Sequence, residues 1–414
     1  MKIKDITGYE ILDSRGNPTT ASRVILEDGT QAYAYVPSGA STGIHEATEL
    51  RDGDMSRYAG LGVLKAINNI NTEIRQAVIG LDASDQRNID TVLKQLDGTP
   101  NKSRLGANAI LAVSLAIARA MAQSRKIELY QYLATLYGDS QEDIKSFPYI
   151  GFNVLNGGKH ADSGLDVQEY MIMPLKDTIE ENIRIGSEIY HTLKKQLAKN
   201  GHIISVGDEG GFAPRLQTNE EGLHLLVSAI KEAGYIPGID CGIALDPAAT
   251  EFFDKNTNTY TFDKKEYTGT ELSMLYQEWI KTYPIVSIED PFAEDDYDSW
   301  IYFQQSVPQG FRVVGDDLLV TNTERIHMAI EKQLCNSVLI KPNQIGTLTE
   351  VLDAIILAHQ HHFTTMISHR SGDTSDTFIS DLAVATKSGY MKSGAPARAE
   401  RVSKYNRLLE IYYL

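Results

Sequence analysis

The chain has 414 residues, of which 42% are apolar, and a formal net charge of −16. This acidity, with no dominant basic face, argues against a general nucleic-acid or anionic-membrane binder, although a local site could still bind an anionic substrate. Two cysteines are too few for a disulfide framework, and the first residues lack the apolar core of a signal peptide, so we expect a cytoplasmic protein. The length favours two domains.

Residues 1–137 predict a smaller α+β domain. Apolar and polar residues alternate up to about residue 60, with a hairpin signal at Glu27–Gly29, and helical patterns follow. The polar residues 138–146 predict a linker, and a second domain is expected over residues 147–414.

The longest apolar stretch of the chain is Leu105–Ala122. It is interrupted by Asn108, Ser114 and Arg119, and it is rich in alanine. This pattern favours a buried core helix, and we predict no membrane span.

Five short apolar runs in the second half of the chain each end in charged residues. The runs are Gly242–Asp246, Ile285–Glu289, Arg312–Asp316, Val338–Lys341 and Thr365–Arg370. Each is typical of a buried parallel strand. The gaps from Asp246 through Glu289, Asp316 and Lys341 to His369 are 43, 27, 25 and 28 residues, and about 25 to 30 residues fits one βα unit with its loops. We therefore predict a TIM-like α/β barrel, in which catalytic groups gather at the carboxyl ends of different strands.

Three of these strand ends carry carboxylates, namely Asp246, Glu289 and Asp316. Three converging carboxylates raise one another's pKa and cannot all stay ionised without a cation. Ligation by oxygen alone favours Mg²⁺ or Mn²⁺ over Zn²⁺. The alternative is that these acids are solvated or cap the next helix.

The next two strand ends carry cations. Lys341 beside a metal would have its pKa lowered by burial and by the cation, which makes it a candidate base; alternatively it pairs with one of the acids. Arg370 and Ser371 suit a phosphate, because a guanidinium grips it through two hydrogen bonds, and Lys392 could add a further charge.

Two glycine-rich segments could complete the site. Val206–Phe212 places two acids among three glycines, and one acid could be a general acid facing Lys341. Pro37–Gly43 is either a linker-like turn or a lid that brings oxygen ligands to a second hard cation. Asn156–His160 and Gln168–Glu169 add further polar groups.

Motifs along nearly the whole chain resemble those of the enolase family. They are Leu12–Thr19, Val36–Gly43, Glu49–Asp54, Leu105–Leu111, Val206–Pro214, Ser287–Pro291, Gly315–Leu318, Ile340–Thr347, Ser368–Gly372 and Lys392–Arg398. The resemblance implies an enolase-type barrel preceded by an α+β domain, and a lyase that reversibly dehydrates 2-phosphoglycerate to phosphoenolpyruvate in glycolysis. It also implies two Mg²⁺ ions per site and a homo-oligomer, a dimer or larger.

The resemblance also implies a role for each matching residue. Lys341 resembles the base that removes the α-proton, and Glu209, with Glu169 beside it, resembles the acid that assists loss of the hydroxyl. Further implied residues are the ligands of the first Mg²⁺ (Asp246, Glu289, Asp316), a ligand of the second (Ser41), substrate-binding groups (Gln168, Arg370, Ser371, Lys392) and two histidines of the site (His160, His369). A lysine base with one or two Mg²⁺ ions is the general pattern of this superfamily.

Two other functions stay open on the sequence. One is a related enzyme that acts on a different carboxylate, against which the set Arg370, Ser371 and Lys392 argues. The other is a protein of this fold kept for binding or structure, for example at the cell surface, against which the complete set of charged positions argues.

Overall fold

Fourteen strands and fourteen α-helices are formed by residues 1–39, 43–138, 146–161 and 163–414, which are the residues described by the computed structural model. The strands are β1 Ile3–Leu12, β2 Pro18–Leu26, β3 Gln31–Tyr35, β4 Tyr149–Asn156, β5 Glu169–Pro174, β6 Cys241–Asp246, β7 Phe253–Asp254, β8 Thr259–Phe262, β9 Lys265–Tyr267, β10 Ile285–Glu289, β11 Arg312–Gly315, β12 Ser337–Ile340, β13 Thr364–Ser368 and β14 Tyr390–Lys392. The helices are α1 Leu64–Asn69, α2 Arg75–Val78, α3 Gln86–Asp97, α4 Ala107–Ser124, α5 Leu129–Tyr137, α6 Ile179–Lys199, α7 Asn219–Glu232, α8 Gly269–Thr282, α9 Tyr297–Ser306, α10 Thr323–Lys332, α11 Pro342–Ile345, α12 Leu348–Gln360, α13 Phe378–Ala385 and α14 Ala399–Tyr413.

The first part of the chain folds as the predicted α+β unit. Strands β1, β2 and β3 form an antiparallel sheet in chain order, and the hairpin signal lies in the turn between β2 and β3. Helix α4 is long and apolar enough to cross a membrane by length and composition, but 83% of it is buried inside the protein. It packs against β2 and β3, as predicted for a core helix.

Eight strands of the described residues close into a barrel in the order β4, β5, β6, β10, β11, β12, β13, β14. The five predicted strands are confirmed, with ends that differ by no more than two residues. The barrel departs from a regular alternation of parallel strands and helices at its start, because β5 is antiparallel to both β4 and β6. The described part of the connection from β4 to β5 contains only a short 3-10 helix, so the chain returns antiparallel without the helical crossover that a parallel strand needs.

Alternation along the barrel strands aims the charged side chains into the mouth. Met171, Ala244, Val314 and Leu339 fill the barrel interior, together with neighbouring side chains. Side chains two residues apart on a strand lie on the same face. Two positions nearer the mouth, the same faces carry Glu169, Asp246, Asp316 and Lys341, respectively.

Polar side chains cap the N-termini of several helices that surround the barrel. Thr178, Asn322 and Thr347 each accept a backbone N–H from the first turn of the helix that follows. Lys341 precedes Pro342 at the start of α11, and a residue before proline favours the extended conformation, which Lys341 has at φ −124°.

The first domain contacts the barrel mouth through its own loops. The backbone of Ser38 exchanges two hydrogen bonds with Gly372, at 2.7 and 2.9 Å between nitrogen and oxygen. The N–H of Ala47 also donates to the carbonyl of Gln344 at 2.8 Å. Residues from the first fifty positions therefore form one wall of the entrance to the barrel.

Candidate active site

One charged cavity lies at the carboxyl ends of the barrel strands. Its lining includes the predicted residues His160, Gln168, Glu169, Glu209, Asp246, Asp316, Lys341, His369, Arg370, Ser371 and Lys392. Glu289 is not part of this lining, but it forms an ion pair with the lining residue Lys392. Ser41 lies outside the described residues, so its prediction as a ligand of a second metal stays a prediction.

Lys392 is the centre of a cluster of buried carboxylates. Its Nζ atom lies 3.0 Å from Glu169, 2.8 Å from Glu289 and 3.6 Å from Asp246, measured to the nearest carboxylate oxygens of ion pairs. Burial raises the pKa of both Asp246 and Glu289 well above the ordinary values, although Lys392 acts in the opposite direction. Added positive charge would therefore stabilise the ionised form of these carboxylates, as expected of a cation site.

Asp316 is drawn to a different cation, Lys341, whose Nζ donates a short hydrogen bond to Asp316 Oδ2. Burial acts to lower the pKa of Lys341, but the charges of the surrounding acids, chiefly Asp316, together raise the pKa above its ordinary value. The neutral amine was predicted for a lysine beside a metal, and that stays a prediction, whereas the lysine–acid pair that the sequence left open is observed. A cation on Asp316 would remove the partner that keeps Lys341 protonated.

Acidic clusters in the described residues fit a divalent metal. His160, Glu169 and Glu209 form one group whose ligand atoms lie within 4.8 Å of one another. A second such group comprises Asp290, Asp316 and Asp317. The set Asp246, Glu289 and Asp316 is not one of these groups, because its members are held around two lysines instead.

Glu209 also lines the cavity, beside His369 and His160. Its Oε2 atom accepts a hydrogen bond from Asn153 Nδ2 at 2.8 Å and lies 3.3 Å from His369 Nε2 and 3.7 Å from His160 Nδ1. Burial alone would raise the pKa of Glu209, but its electrostatic and hydrogen-bonding interactions with His369, His160 and Arg401 hold it well below the ordinary value. Glu209 is therefore ionised before a ligand binds.

Arg370 also lines the cavity and is buried. Its guanidinium makes a two-pronged ion pair with Glu46, at 3.1 and 3.2 Å, and donates to Asn343 Oδ1 at 3.1 Å. Glu46 comes from the first domain, so a carboxylate occupies the place where the sequence predicts a phosphate.

Several site residues were missed by the sequence analysis. Asp290 accepts backbone N–H groups from both Asp316 and Asp317 at 2.8 Å, which fixes the end of β11. Gln344 donates to Asp316 at 2.8 Å. Asp290 and Asp317 each directly follow a predicted metal ligand, and this adjacency was the available signal. Glu46 had no such signal in the sequence.

The barrel and this cavity define a class: proteins with an acidic, divalent-metal type of site at the carboxyl ends of barrel strands. The family model for the enolase N-terminal domain matches residues 3–133, and the model for the enolase C-terminal TIM barrel domain matches residues 144–413. The chain therefore belongs to the enolase family, whose domains indicate a lyase-type enzyme acting on a small molecule.

Proposed function

We propose that the chain catalyses the Mg²⁺-dependent, reversible dehydration of 2-phosphoglycerate to phosphoenolpyruvate. The observation that supports this most is that one cavity is lined by Lys341, Glu209, Arg370 and the buried carboxylates Glu169, Asp246 and Asp316. This reaction removes a proton from one carbon and hydroxide from the next, so it needs a base, an acid and fixed charges at both ends of the substrate.

Lys341 is the proposed base. A proton beside a carboxylate is weakly acidic, because its removal adds charge to a group that is already negative. Mg²⁺ held by Asp246, Glu289 and Asp316 would offset that developing charge. With Asp316 engaged in this way, burial of Lys341 is no longer opposed, its pKa falls, and the neutral amine can accept the α-proton.

Glu209 is the proposed acid for the departing hydroxyl, with Glu169 and His160 beside it. It is ionised in the free site, so it must first take up a proton. An anionic substrate raises the pKa of a neighbouring carboxylate, and it therefore favours this uptake at the moment of binding.

Arg370 and Ser371 are the proposed phosphate-binding groups. A phosphate would take over the two-pronged contact that Glu46 makes with Arg370. Gln168 has a buried side-chain oxygen, Oε1, without a hydrogen-bond partner in the described parts of the chain, and this atom suits a substrate hydroxyl. Lys392 would then bind the substrate carboxylate instead of bridging protein carboxylates.

Further parts of the proposal follow the family resemblance. A second Mg²⁺ is recruited with substrate, with Ser41 as one ligand. The protein acts in the cytoplasm, in glycolysis and gluconeogenesis, as a homodimer or larger homo-oligomer. A secondary presence at the cell surface remains a separate hypothesis.

The deciding experiment is an absorbance assay for phosphoenolpyruvate formed from 2-phosphoglycerate, with and without Mg²⁺. Activity that is lost on chelation and restored by Mg²⁺ is expected. Replacement of Asp246, Glu289 and Asp316 together by alanine is the matched control, and it should abolish both activity and metal binding. Turnover of a carboxylate without phosphate, in preference to 2-phosphoglycerate, would favour a related enzyme of the same superfamily instead.

A further inference from the structure

Arg401 on α14 is fully buried, and its donors all face acceptors around the cavity wall. Its contacts are His369 Nδ1, the carbonyl oxygens of Arg370 and Ser371 at 2.6 Å each, the carbonyl oxygen of Asp208 at 3.1 Å, Ser14 Oγ at 3.4 Å and Glu400 Oε1 at 3.2 Å. A guanidinium has five N–H donors in a rigid plane and no acceptor. This arrangement therefore uses the whole donor set of the side chain.

The contact with His369 fixes which ring nitrogen carries the proton. Arg401 can only donate, so His369 Nδ1 must accept, and the proton of the neutral imidazole must then lie on Nε2. His369 Nε2 is buried and lies 3.3 Å from Glu209 Oε2, and within the described ranges it has no hydrogen-bond partner of good geometry. An N–H donor is thus presented to the Glu209 end of the cavity.

We propose that Arg401 is the positioning residue of this site: it holds His369 as the Nε2–H tautomer and aims that donor at Glu209 and at the group that binds beside it. Burial lowers the pKa of His369 below its ordinary value and Arg401 acts in the same direction, whereas Glu209 opposes them. This agrees with the direction that the geometry requires.

The same guanidinium joins two loops of the site. One loop carries Asp208 and Glu209, and the other carries Arg370 and Ser371. Because a single rigid group holds backbone carbonyls from both, Arg401 ties the loop of the proposed acid to the loop of the proposed phosphate-binding groups. A lysine, with a single flexible ammonium, cannot hold all of these acceptors at once.

The first test measures the tautomer directly in the free, full-length protein. Nitrogen-15 NMR of histidine-labelled protein, with His369 identified by its loss in His369→Gln, should show a protonated Nε2 and an unprotonated Nδ1. A proton on Nδ1, or on both nitrogens at neutral pH, would overturn the proposal. This readout needs no substrate, so it is independent of the proposed dehydratase activity.

The second test compares two buried, positively charged side chains of α14, Arg401 and Lys404, which lie about one helical turn apart. Lys404 is also buried on α14 and contacts Asp373 at 3.0 Å, but it does not touch His369. Arg401→Met should lose the Nε2–H signature and, resting here on the proposed function, lower kcat by about 10- to 100-fold, as is typical when the partner that orients a functional histidine is removed. Lys404→Met should keep the signature and most of the kcat.

Arg401→Lys, the conservative variant, should recover part of the signature and part of the kcat lost in Arg401→Met. If Arg401→Met does not fold, Arg401→Lys and the wild-type spectrum carry the test. An unchanged His369 tautomer in any folded Arg401 variant that lacks a donor would show that another group fixes the ring.

Discussion

The Nζ atom of Lys392 lies 2.8 Å from a carboxylate oxygen of Glu289, at a point that Glu169 and Asp246 also approach. The ammonium group therefore stands where the sequence places a metal ion. A lysine here neutralises the cluster in the free protein, but it also repels an incoming cation. This relationship leads to the first prediction.

Lys392→Met should abolish turnover and yet tighten the binding of Mg²⁺ to the free protein. The variant removes a unit charge a few ångströms from the carboxylates, where such a charge contributes several kcal/mol at an effective dielectric constant of about 20. Calorimetry should show the dissociation constant falling by about tenfold or more. Lys404→Met, which removes a buried cation elsewhere, should leave it unchanged, and weaker metal binding in Lys392→Met would contradict this picture of the cluster.

Lys341→Ala should abolish turnover without loss of the fold, because the proposed base is removed. Asp316 then loses the partner that lowers its pKa. As the pH is lowered below about 4, the free energy of unfolding should therefore fall less in the variant than in the wild type. Exchange of the α-proton of 2-phosphoglycerate with solvent is the decisive measurement. Exchange at the wild-type rate would mean that another group is the base.

Glu209→Gln should block loss of the hydroxyl more than removal of the proton. The amide keeps the shape of the side chain but cannot act as an acid. We expect slow dehydration with retained exchange at the α-carbon. Equal loss of both steps would instead assign Glu209 a role in positioning.

The stability of the metal-free protein should fall as the pH rises from about 4 to about 8. Burial and the charge of Asp316 raise the pKa of Asp317 to about 8, whereas an unfolded aspartate titrates near 4. In this window the folded state holds the extra proton, so the unfolding free energy decreases with pH, by at most about 1.4 kcal/mol per pH unit for one group. Denaturant unfolding in a chelator should show this slope, and Asp317→Asn should make it shallower; an identical slope in the variant would assign the effect to other acids.

Glu46→Gln should tighten the binding of inorganic phosphate to the metal-free protein. The ion pair with Arg370 is buried, and the amide leaves the guanidinium without a competing anion. Titration calorimetry against wild type checks this. Weaker phosphate binding in the variant would show that Glu46 orients Arg370 more than it blocks it.

The sequence predicted those parts of the site that depend on local pattern. Asp246, Glu289, Asp316 and Lys341 each end an apolar run, and period-two alternation with the barrel interior aims Asp246, Asp316 and Lys341 inward. The same pattern could not reveal the antiparallel direction of β5, because a buried strand has the same composition in either direction.

Contacts between distant residues were beyond such reasoning. Glu46 lies 324 positions from Arg370, and Arg401 lies on a helix whose sequence resembles that of an ordinary amphipathic helix. The charge of Lys341 could not be predicted either. It depends on whether Asp316 is nearer to the lysine or to a cation, which is a balance of distances that spacing does not encode.

The contact between Ser14 and Arg401 has a consequence for folding during synthesis. Their side chains meet across 387 positions, and Arg401 also holds the loops around Glu209 and Arg370. A nascent chain that lacks α14 therefore has no assembled cavity, however much of the barrel has formed. The protein can become competent for chemistry only after α14 has emerged and docked, so a product truncated before α14 should be inert.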